Sequence, residues 1–320
     1  MKAAFYSENG GPEVLNYGEV DDPACGATEI AIDVRAISIE GGDLLHRRIT
    51  PVAGALHVPG YQAAGIVSEV GAEVRSVKVG DRVVGFNWSG SHAERFVVPE
   101  HFAYPVPDGL DLATAATVPV AFGTAHDALF EFGGLGAGET VLIHGATGGV
   151  GIALVQLAKQ AGATVIGTAS SEDKIRRLAA LGLDHGFNGR ESDIRGAVMT
   201  VTGGAGADLA LDLVGGPKFP ELVAALRPRG RLVLIGFASG EQPVLDPAAI
   251  RQGGLCVTGL MFGKRMHLPE IRARISGLIA DVAAGTFAMP IERQFALKEA
   301  AAAHRYMEQS RPFGKVVLIP

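Results

Sequence analysis

The 320-residue sequence has little cysteine, little positive charge and few charged residues overall, and each scarcity excludes a class of protein. Two cysteines, Cys25 and Cys256, are too few for a disulfide framework or for a zinc site made of four thiolates. The 28 lysines and arginines are outnumbered by 34 acidic residues, the net charge is −6, and the basic residues form no cluster. Nucleic acid and anionic membranes are therefore not expected partners. Charged residues make up 19% of the chain against 48% hydrophobic residues, which excludes disorder for most of it.

Long hydrophobic runs are scarce as well. The longest uncharged stretch, residues 140–158, contains His144 and several glycines in its first half, which indicates a loop in a soluble fold rather than a membrane span. The first residues, MKAAFYSENGG, contain no apolar segment of the kind that a secretory signal needs. With so little cysteine, the sequence predicts a cytoplasmic protein that has no membrane segment.

Glycine is abundant, with 44 residues, and the pattern around the glycines changes along the chain. Up to about residue 119, short apolar segments such as 29–39, 63–70 and 78–86 are separated by turns, which indicates a small barrel or sandwich. Later segments alternate between strand and helix patterns, as expected for βαβ units and a parallel sheet. A length of 320 residues also predicts two domains, since domains usually have roughly 100–200 residues.

The strongest local signal is VLIHGATGGVG at residues 141–151, which follows a predicted strand and opens a predicted helix. In such a turn Gly148 leaves room for a pyrophosphate, and Gly151 lets the helix pack closely on the strand. Ala146 stands where the fingerprint G-x-G-x-x-G would have its first glycine. We interpret the segment as a dinucleotide-binding loop, and a tight turn without a ligand is the alternative. The predicted cofactor contacts in it are Ala146, Thr147, Gly148, Gly149 and Val150.

The end of the next strand predicts which dinucleotide is bound. About 20 residues after the glycine loop, NAD-binding proteins place an acidic side chain on the ribose 2′-hydroxyl. Here the strand ends in GTASS, residues 167–171, without an acid. The hydroxyls of Ser170 and Ser171 and the ammonium of Lys174 suit a 2′-phosphate, so we predict NADPH rather than NADH. The alternative role of Ser170 is a helix capping box with Asp173, and the two roles are compatible.

Together these residues resemble the medium-chain dehydrogenase/reductase superfamily, in particular its zinc-independent quinone oxidoreductase (zeta-crystallin-like) branch. The resemblance covers essentially the whole chain. It implies an α/β fold with a GroES-like catalytic domain of β-barrel type, residues 1–119 and 262–320, and a Rossmann domain with a doubly wound parallel sheet, residues 120–261. It also implies a homodimer formed through an edge strand near residues 255–260. The segments that carry the resemblance are PGYQAAGIVSEVG (59–71), VGDRVVG (79–85), GTAHDAL (123–129), HGATGGVGIALVQLAKQAGA (144–163) and GKVVL (314–318).

The resemblance also bears on metal binding. Zinc-dependent relatives carry a catalytic cysteine, a His-Glu pair and a second cysteine. The matching positions here are Glu40, Tyr61 with Gln62, and about Val120. A tyrosine, an amide and a valine cannot complete a catalytic zinc site with three protein ligands, so we predict no metal.

Without a metal, the electrophile must be activated by its own structure. Quinones and α,β-enones accept hydride readily because the charge of the product is delocalised, whereas simple ketones usually need a Lewis acid or a positioned proton donor. The predicted substrate is therefore a small-molecule quinone or enone. One alternative is a reductase of enoyl thioesters on CoA or a carrier, and another is an NADPH-binding structural or regulatory protein without turnover.

Two side chains are candidates for catalysis. Glu40 stands where the family usually has asparagine, and it could accept a hydrogen bond from the nicotinamide carboxamide or, if buried, donate a proton; a solvated loop carboxylate is the alternative. Tyr61 stands where a zinc ligand would be, and its phenol could polarise a carbonyl or supply a proton. A packing role is the alternative for Tyr61.

Further cofactor contacts are predicted from two sources. The resemblance implies that Thr124 contacts the nicotinamide and that Lys315 reaches cofactor or substrate, although a surface lysine on an edge strand is the alternative. Phe237, Met261 and Phe262 follow predicted strands, where an open parallel sheet places its ligands.

The chain also departs from the family near the adenosine phosphate. Relatives often carry a tyrosine where this sequence has Gly189. Arg190 beside it is a candidate phosphate donor in its place.

Overall fold

The computed structural model describes residues 1–52, 54–189 and 192–320. The chain divides into two units, of which the first comprises Met1–Val120 with Gly263–Pro320 and the second comprises Ala121–Phe262. Both ends of the described chain therefore belong to one unit. None of the helices in the described residues is long and apolar enough to cross a membrane.

The secondary-structure elements of the described residues are as follows. The strands are β1 (Lys2–Phe5), β2 (Asn16–Glu19), β3 (Glu29–Ser38), β4 (Gln62–Val70), β5 (Arg82–Phe86), β6 (Arg95–Pro99), β7 (Ala103–Pro105), β8 (Thr140–His144), β9 (Thr164–Ala169), β10 (His185–Asn188), β11 (Ala207–Asp212), β12 (Leu226–Leu234), β13 (Cys256–Gly259), β14 (Ile291–Ala296) and β15 (Lys315–Ile319). The α-helices are α1 (Gly41–Ile49), α2 (Leu112–Ala115), α3 (Val118–His126), α4 (Gly149–Gln160), α5 (Glu172–Ala179), α6 (Ile194–Val201), α7 (Phe219–Ala224), α8 (Pro247–Gly253), α9 (Pro269–Ala283) and α10 (Ala300–Ser310). Short 3-10 turns lie at Pro12–Val14, Glu100–Phe102, Gly216–Lys218, Phe262–Lys264 and Leu297–Glu299, and a π-helical turn lies at Asp127–Phe132.

The first unit is built on a sheet whose strands follow the order β14-β15-β3-β4-β5-β7, with β6 also paired to β3. Strand β15 joins the C-terminal part of the chain to the N-terminal part, because Val317 and Leu318 pair antiparallel with Ser38 and Ile37 of β3. Strand β3 is buried over most of its length, so its side chains contribute to the core on both sides of the sheet. This arrangement explains why residues from both chain ends are needed for one core.

The second unit contains a six-stranded parallel sheet in the order β10-β9-β8-β11-β12-β13. Leu142, Ile166, Ala210 and Leu232 come from four neighbouring strands and share one buried cluster. The strand order reverses between β8 and β11, and this reversal marks the point at which doubly wound sheets bind dinucleotides. The predicted α/β class with a doubly wound parallel sheet is confirmed.

Strand β12 follows helix α7 almost directly. Helix α7 ends at Ala224, and β12 runs from Leu226 to Leu234. Arg229 has a φ of 62°, and the pairing of β11 with β12 shifts register between Ala207 and Leu209. Strand β12 is thus irregular at Pro228-Arg229-Gly230. These residues interrupt the run of apolar side chains, so the sequence gives no alternating pattern from which the start of the strand could be predicted.

Candidate active site

The glycine loop that follows β8 is held against the neighbouring strand β9. The N–H of Gly145 donates to Oγ1 of Thr168 at 3.0 Å, and the N–H of Ala146 donates to the backbone oxygen of Thr168 at 3.0 Å. Gly145 has a φ of +90°, a conformation that favours glycine. The loop therefore has a defined path from the end of β8 to the start of α4.

Two residues at this turn, Gly151 and Ala146, must be small because other parts of the protein lie close to them. At Gly151 an added Cβ would lie 2.5 Å from the backbone oxygen of Gly145, so α4 can approach the loop only without it. Ala146 is fully buried, and Gly167 on β9 makes room for it, since a Cβ at Gly167 would lie 3.1 Å from that of Ala146. Ala146 is accommodated by a glycine on the next strand.

Gly148 differs from its neighbours because the protein itself does not require glycine there. Its φ of −78° and ψ of 171° suit any residue, and an added Cβ would meet no protein atom within 4 Å. The open space lies at the N-terminus of α4, where backbone N–H groups lack helical partners. This geometry fits the pyrophosphate of a dinucleotide.

The predicted phosphate-binding side chains lie together after the end of β9. Lys174 Nζ donates to Ser170 Oγ at 3.3 Å, and Ser171 Oγ accepts from the Lys174 N–H at 3.4 Å as the N-cap of α5. The predicted capping box of Ser170 with Asp173 is therefore wrong. Strand β9 continues through Ala169, so the cap falls one residue later, and Asp173 instead pairs with Arg176 at 3.1 Å. Arg190, the other candidate phosphate donor, lies outside the described residues.

In the first unit, Glu40 is the centre of a buried polar cluster that we call the Glu40 cluster, formed by Ser38, Glu40, Gln62 and Lys315. Oε1 of Glu40 accepts hydrogen bonds from Ser38 Oγ at 2.9 Å, from Gln62 Nε2 at 2.7 Å and from Lys315 Nζ. Glu40 is 6% exposed, so the alternative of a solvated loop carboxylate is wrong. All three partners present hydrogen to the same oxygen, so Oε1 of Glu40 is an acceptor, and the role of Glu40 as a proton donor stays a prediction.

Each of the other members of the Glu40 cluster is held by the surrounding fold. Lys315 is 3% exposed and opens β15, which lies between β14 and β3, so the alternative of a surface lysine on an edge strand is wrong. Gln62 accepts the Val120 N–H on its Oε1 at 3.2 Å while its Nε2 donates to Glu40. Both ends of the Gln62 amide are used, which fixes its orientation.

Next to this cluster, Tyr61 contacts His46. The phenol oxygen lies 3.2 Å from both ring nitrogens of His46, and the two rings meet edge to face. Burial is the main cause that raises the pKa of Tyr61 above its usual value, with Asp43 and Glu40 adding to it, and burial lowers the pKa of His46. At neutral pH the phenol is therefore a protonated hydrogen-bond donor and the imidazole a neutral acceptor. The glycine at position 42 is required here, because a Cβ on Gly42 would lie 2.4 Å from the Tyr61 oxygen.

The remaining predicted contacts lie in the second unit and differ in exposure. Phe262 is buried, with its ring where a Cβ on Gly123 would be, at 2.3 Å, so it packs on α3. Met261 beside it is 63% exposed. Phe237 follows β12 and is half-buried, and Thr124 is buried in α3. Thr147 and Val150 are half-buried, and Gly149 is the first residue of α4.

One polar pair was missed by sequence reasoning. His144 and Asp212 are the last residues of β8 and β11, are paired in register, and join through His144 Nδ1 and Asp212 Oδ1 at 3.0 Å. The available signal was a polar residue near the end of each of two short apolar segments, VLIH at 141–144 and LALD at 209–212. The two lie 68 positions apart, so the sequence did not indicate that they meet.

Comparison with known proteins shows the family to which this chain belongs. Residues 26–108 match the alcohol dehydrogenase GroES-like domain, and residues 149–277 match the zinc-binding dehydrogenase family. The chain is 33% identical to a quinone oxidoreductase of Pseudomonas aeruginosa, over 100% of this chain and 99% of the relative. This chain belongs to the quinone oxidoreductase branch of the medium-chain dehydrogenase/reductase superfamily.

Two further relatives of this oxidoreductase are informative. A 2-haloacrylate reductase of a Burkholderia species is 33% identical over 100% of this chain and 99% of its own. The crystal structure of Escherichia coli quinone oxidoreductase complexed with NADPH superposes with a TM-score of 0.95 at 28% identity, covering 100% of both chains. The likeness extends through both units of the present protein.

The residues of this oxidoreductase do not fit the zinc ion that the name of one matching family implies. Lys315 places its ammonium group on the carboxylate of Glu40, so a cation already occupies that oxygen. The Tyr61 phenol contacts His46, and the Val120 side chain has no ligating atom. Among residues 1–52, 54–189 and 192–320, no group of three or more His, Cys, Asp or Glu side chains is arranged to hold a metal ion.

Proposed function

We propose that this protein is an NADPH-dependent oxidoreductase that delivers hydride to a quinone or an activated α,β-unsaturated carbonyl compound. The observation that carries the proposal is the group formed by Ser170, Ser171 and Lys174 at the end of β9. Two hydroxyls and an ammonium stand where an NAD-specific sheet has a carboxylate, and they suit the additional phosphate of NADPH. The E. coli relative complexed with NADPH supports the same cofactor.

The acceptor follows from the chemistry available in the first unit. The Glu40 cluster and Tyr61 supply hydrogen-bond donors and an ammonium but no ligand set for a Lewis acid. Hydrogen-bond donors suffice for acceptors whose product charge is delocalised, such as quinones and enones. The names of the relatives, quinone oxidoreductase and 2-haloacrylate reductase, agree with an activated acceptor.

When bound, NADPH supplies the hydride, and the residues of this chain hold and orient the reactants. We assign the pyrophosphate to the loop of Ala146, Thr147, Gly148, Gly149 and Val150. When the acceptor is bound, the Tyr61 O–H turns from His46 and donates its hydrogen bond to the acceptor oxygen instead. Glu40 keeps Lys315 and Gln62 in place. Nearer the nicotinamide we place Thr124, Phe237, Met261 and Phe262, with Phe262 supporting the site through its packing on α3.

The test of this function separates the 2′-phosphate from the rest of the cofactor. In Lys174→Ala we expect KM for NADPH to rise about tenfold or more, because a charge-assisted hydrogen bond is lost, while KM for NADH stays unchanged. The matched control is Arg176→Ala on the same helix, whose guanidinium is largely exposed and pairs with Asp173. The rates are followed by cofactor absorbance with a small quinone, an enone and an enoyl-CoA.

Each possible outcome of that assay bears on the proposal. Equal or better rates with NADH in the unmodified protein would contradict the phosphate assignment. Turnover with the enoyl-CoA alone would replace the proposed acceptor by a thioester. Tight NADPH binding without turnover of any acceptor would indicate a structural or regulatory protein instead.

We further propose that the protein is a cytoplasmic homodimer. Its two cysteines are unpaired, which agrees with a reducing compartment. Strand β13 is the last strand of the parallel sheet, and its far edge is available for pairing with a second copy.

A further inference from the structure

The pair formed by His144 and Asp212 has a defined pattern of protons. Oδ1 of Asp212 accepts from the Val214 N–H at 2.9 Å and from the Gly215 N–H at 3.0 Å, and it lies 3.0 Å from His144 Nδ1. An oxygen that receives two backbone hydrogens acts as an acceptor toward its third partner as well. Nδ1 is therefore the nitrogen that carries hydrogen in the His144 ring.

This pattern leaves the other ring nitrogen for a partner outside the protein. His144 is 5% exposed, and no group among the described residues pairs with its Nε2. Oδ2 of Asp212 is also buried and without a partner in that part of the chain. A neutral imidazole accepts at Nε2, and an imidazolium donates there. A hydroxyl can do either, so a ligand hydroxyl matches Nε2 in both states.

The position of the pair in the sheet identifies which hydroxyl. His144 and Asp212 lie at the carboxyl ends of β8 and β11, between which the strand order reverses. Ser170 and Lys174 assign the adenosine half of the cofactor to the β9 side, and the loop at Gly148 assigns the pyrophosphate to the start of α4. The other half of a dinucleotide then lies on the β11 side, and its first sugar carries two hydroxyls.

We propose that His144 Nε2 hydrogen-bonds a hydroxyl of the nicotinamide ribose and that Asp212 is the positioning residue that fixes the His144 ring. Asp212 is suited to this because its backbone oxygen also accepts the N–H groups of Ile235 and Gly236. One residue thereby connects His144 to the turns that follow both β11 and β12, including the segment that carries Phe237. The proposal deepens the proposed function and rests on it.

The test uses a variant that keeps the hydrogen bond of His144 Nδ1 to Asp212 and loses the one proposed for Nε2. In His144→Asn the amide nitrogen takes the place of Nδ1 and can still donate to Asp212, but nothing replaces Nε2. We expect the dissociation constant for NADPH, measured by fluorescence titration, to rise roughly three- to tenfold, the effect of one hydrogen bond. The dissociation constant for adenosine 2′,5′-bisphosphate, which lacks the nicotinamide ribose, stays unchanged. His144→Gln, whose longer amide reaches toward the position of Nε2, recovers part of the NADPH affinity.

The two ligands make the outcomes distinguishable. If His144→Asn weakens both ligands equally, or neither, the contact with the ribose is refuted. If the asparagine variant does not fold, the glutamine variant is measured in its place. The contact is then refuted if His144→Gln weakens the binding of both ligands equally. If the unmodified protein binds neither NADPH nor the bisphosphate, the proposed function itself fails. Binding of both by the unmodified protein, with a loss confined to NADPH in the variant, supports the assignment.

Discussion

Tyr61 shows how burial decides the chemical role of a single residue. Its raised pKa keeps the phenol protonated, so it can donate a hydrogen bond to an acceptor oxygen without giving up its proton. We expect Tyr61→Phe to lower kcat with a quinone by about tenfold or more, and to leave NADPH affinity unchanged, because a donor that acts on the developing charge is removed. Steady-state kinetics and a cofactor titration measure the two effects.

Tyr104 provides the matched control for that variant. It lies in the same unit, is buried, and its hydroxyl has no hydrogen-bond partner among the described residues. Tyr104→Phe removes the same atom from a tyrosine outside the site and should not change kcat. A rate for Tyr61→Phe equal to that of the unmodified protein would exclude the phenol from catalysis.

The ion pair between Glu40 and Lys315 predicts a large effect on stability. Both side chains are almost completely buried, so removing one partner leaves the other as an uncompensated charge. We expect Lys315→Met to lower the free energy of unfolding by about 3–5 kcal/mol, and the double variant Glu40→Gln with Lys315→Met to be more stable than the single one. Urea denaturation measures both, with Lys298→Met, at an exposed lysine, as the control. A loss below about 1 kcal/mol for Lys315→Met would contradict the coupling, since that is the range of exposed pairs.

These residues also show what sequence reasoning can reach. The family resemblance singled out Glu40 and Lys315 separately, but it did not pair them, because they are 275 positions apart and meet only when β15 lies beside β3. Whether Ser170 or Ser171 caps helix α5 depends on whether strand β9 ends one residue earlier or later, which the sequence does not indicate. Motifs give the identity of site residues well, whereas their partners depend on the register of distant strands.

At the scale of elements, the parallel sheet was the most predictable part of the protein. Strands β8, β9 and β11 are short buried segments next to glycine-rich turns, which is the pattern that predicts alternating strands and helices there. Strand β10 and helix α6 were not predicted. Strand β10 has the sequence HGFN, whose partly exposed residues show neither a run nor an alternation of apolar side chains. An element held in place by its neighbour β9 carries little pattern of its own.

Helices α1 and α10 are joined by a buried network that depends on neutral histidines. Arg47 of α1 donates to His304 Nδ1 of α10 at 2.6 Å and pairs with Glu308. The other His304 nitrogen, Nε2, lies 3.0 Å from His92 Nε2. Because Nδ1 accepts from the guanidinium, Nε2 of His304 carries the hydrogen and donates to His92. Protonation of either ring would break this chain and place a second positive charge beside Arg47.

The network predicts that acid destabilises the protein. Burial lowers the pKa of His92 from 6.5 to about 3 and also lowers that of His304, with the neighbouring charges adding to the effect. Below pH 6.5 the unfolded chain therefore binds protons that the folded chain does not, and stability falls as the pH falls. Each such histidine contributes up to about 1.4 kcal/mol per pH unit. Urea denaturation at pH 7 and pH 5 measures the loss.

The contribution of His92 can be separated from that of other histidines. In His92→Gln we expect the loss of stability between pH 7 and pH 5 to be smaller by about 2 kcal/mol, because one group no longer takes up a proton on unfolding. The quantity compared is the slope of the free energy of unfolding against pH, so a change in overall stability caused by the substitution does not affect the comparison. His185→Gln, at an exposed position, should leave the slope unchanged. Equal slopes for His92→Gln and the unmodified protein would show that the network does not control acid stability.

At the scale of the whole molecule, the second unit's sheet has one edge at β10 and the other at β13. Strand β13 pairs with β12 through residues Cys256–Gly259, and Cys256 and Gly259 are exposed. An edge strand with free backbone groups can pair with its copy across a two-fold axis. Two copies of β13 would then run antiparallel and extend both sheets into one.

This pairing predicts that a charge on β13 separates the protomers. Strand β13 has only four residues, so in an antiparallel pair of two copies the lysines at position 258 lie close to each other. Like charges that face each other across paired strands destabilise the pair. We therefore expect the unmodified protein to be a dimer in light scattering coupled to size-exclusion chromatography, and Thr258→Lys to be a folded monomer. Val244→Lys introduces the same charge at an exposed apolar residue outside β13 and should remain dimeric. Addition of salt should shift Thr258→Lys back toward the dimer, because screening weakens the repulsion. A monomeric unmodified protein, or a Thr258→Lys variant that remains dimeric at the same concentration, would show that β13 is not the interface.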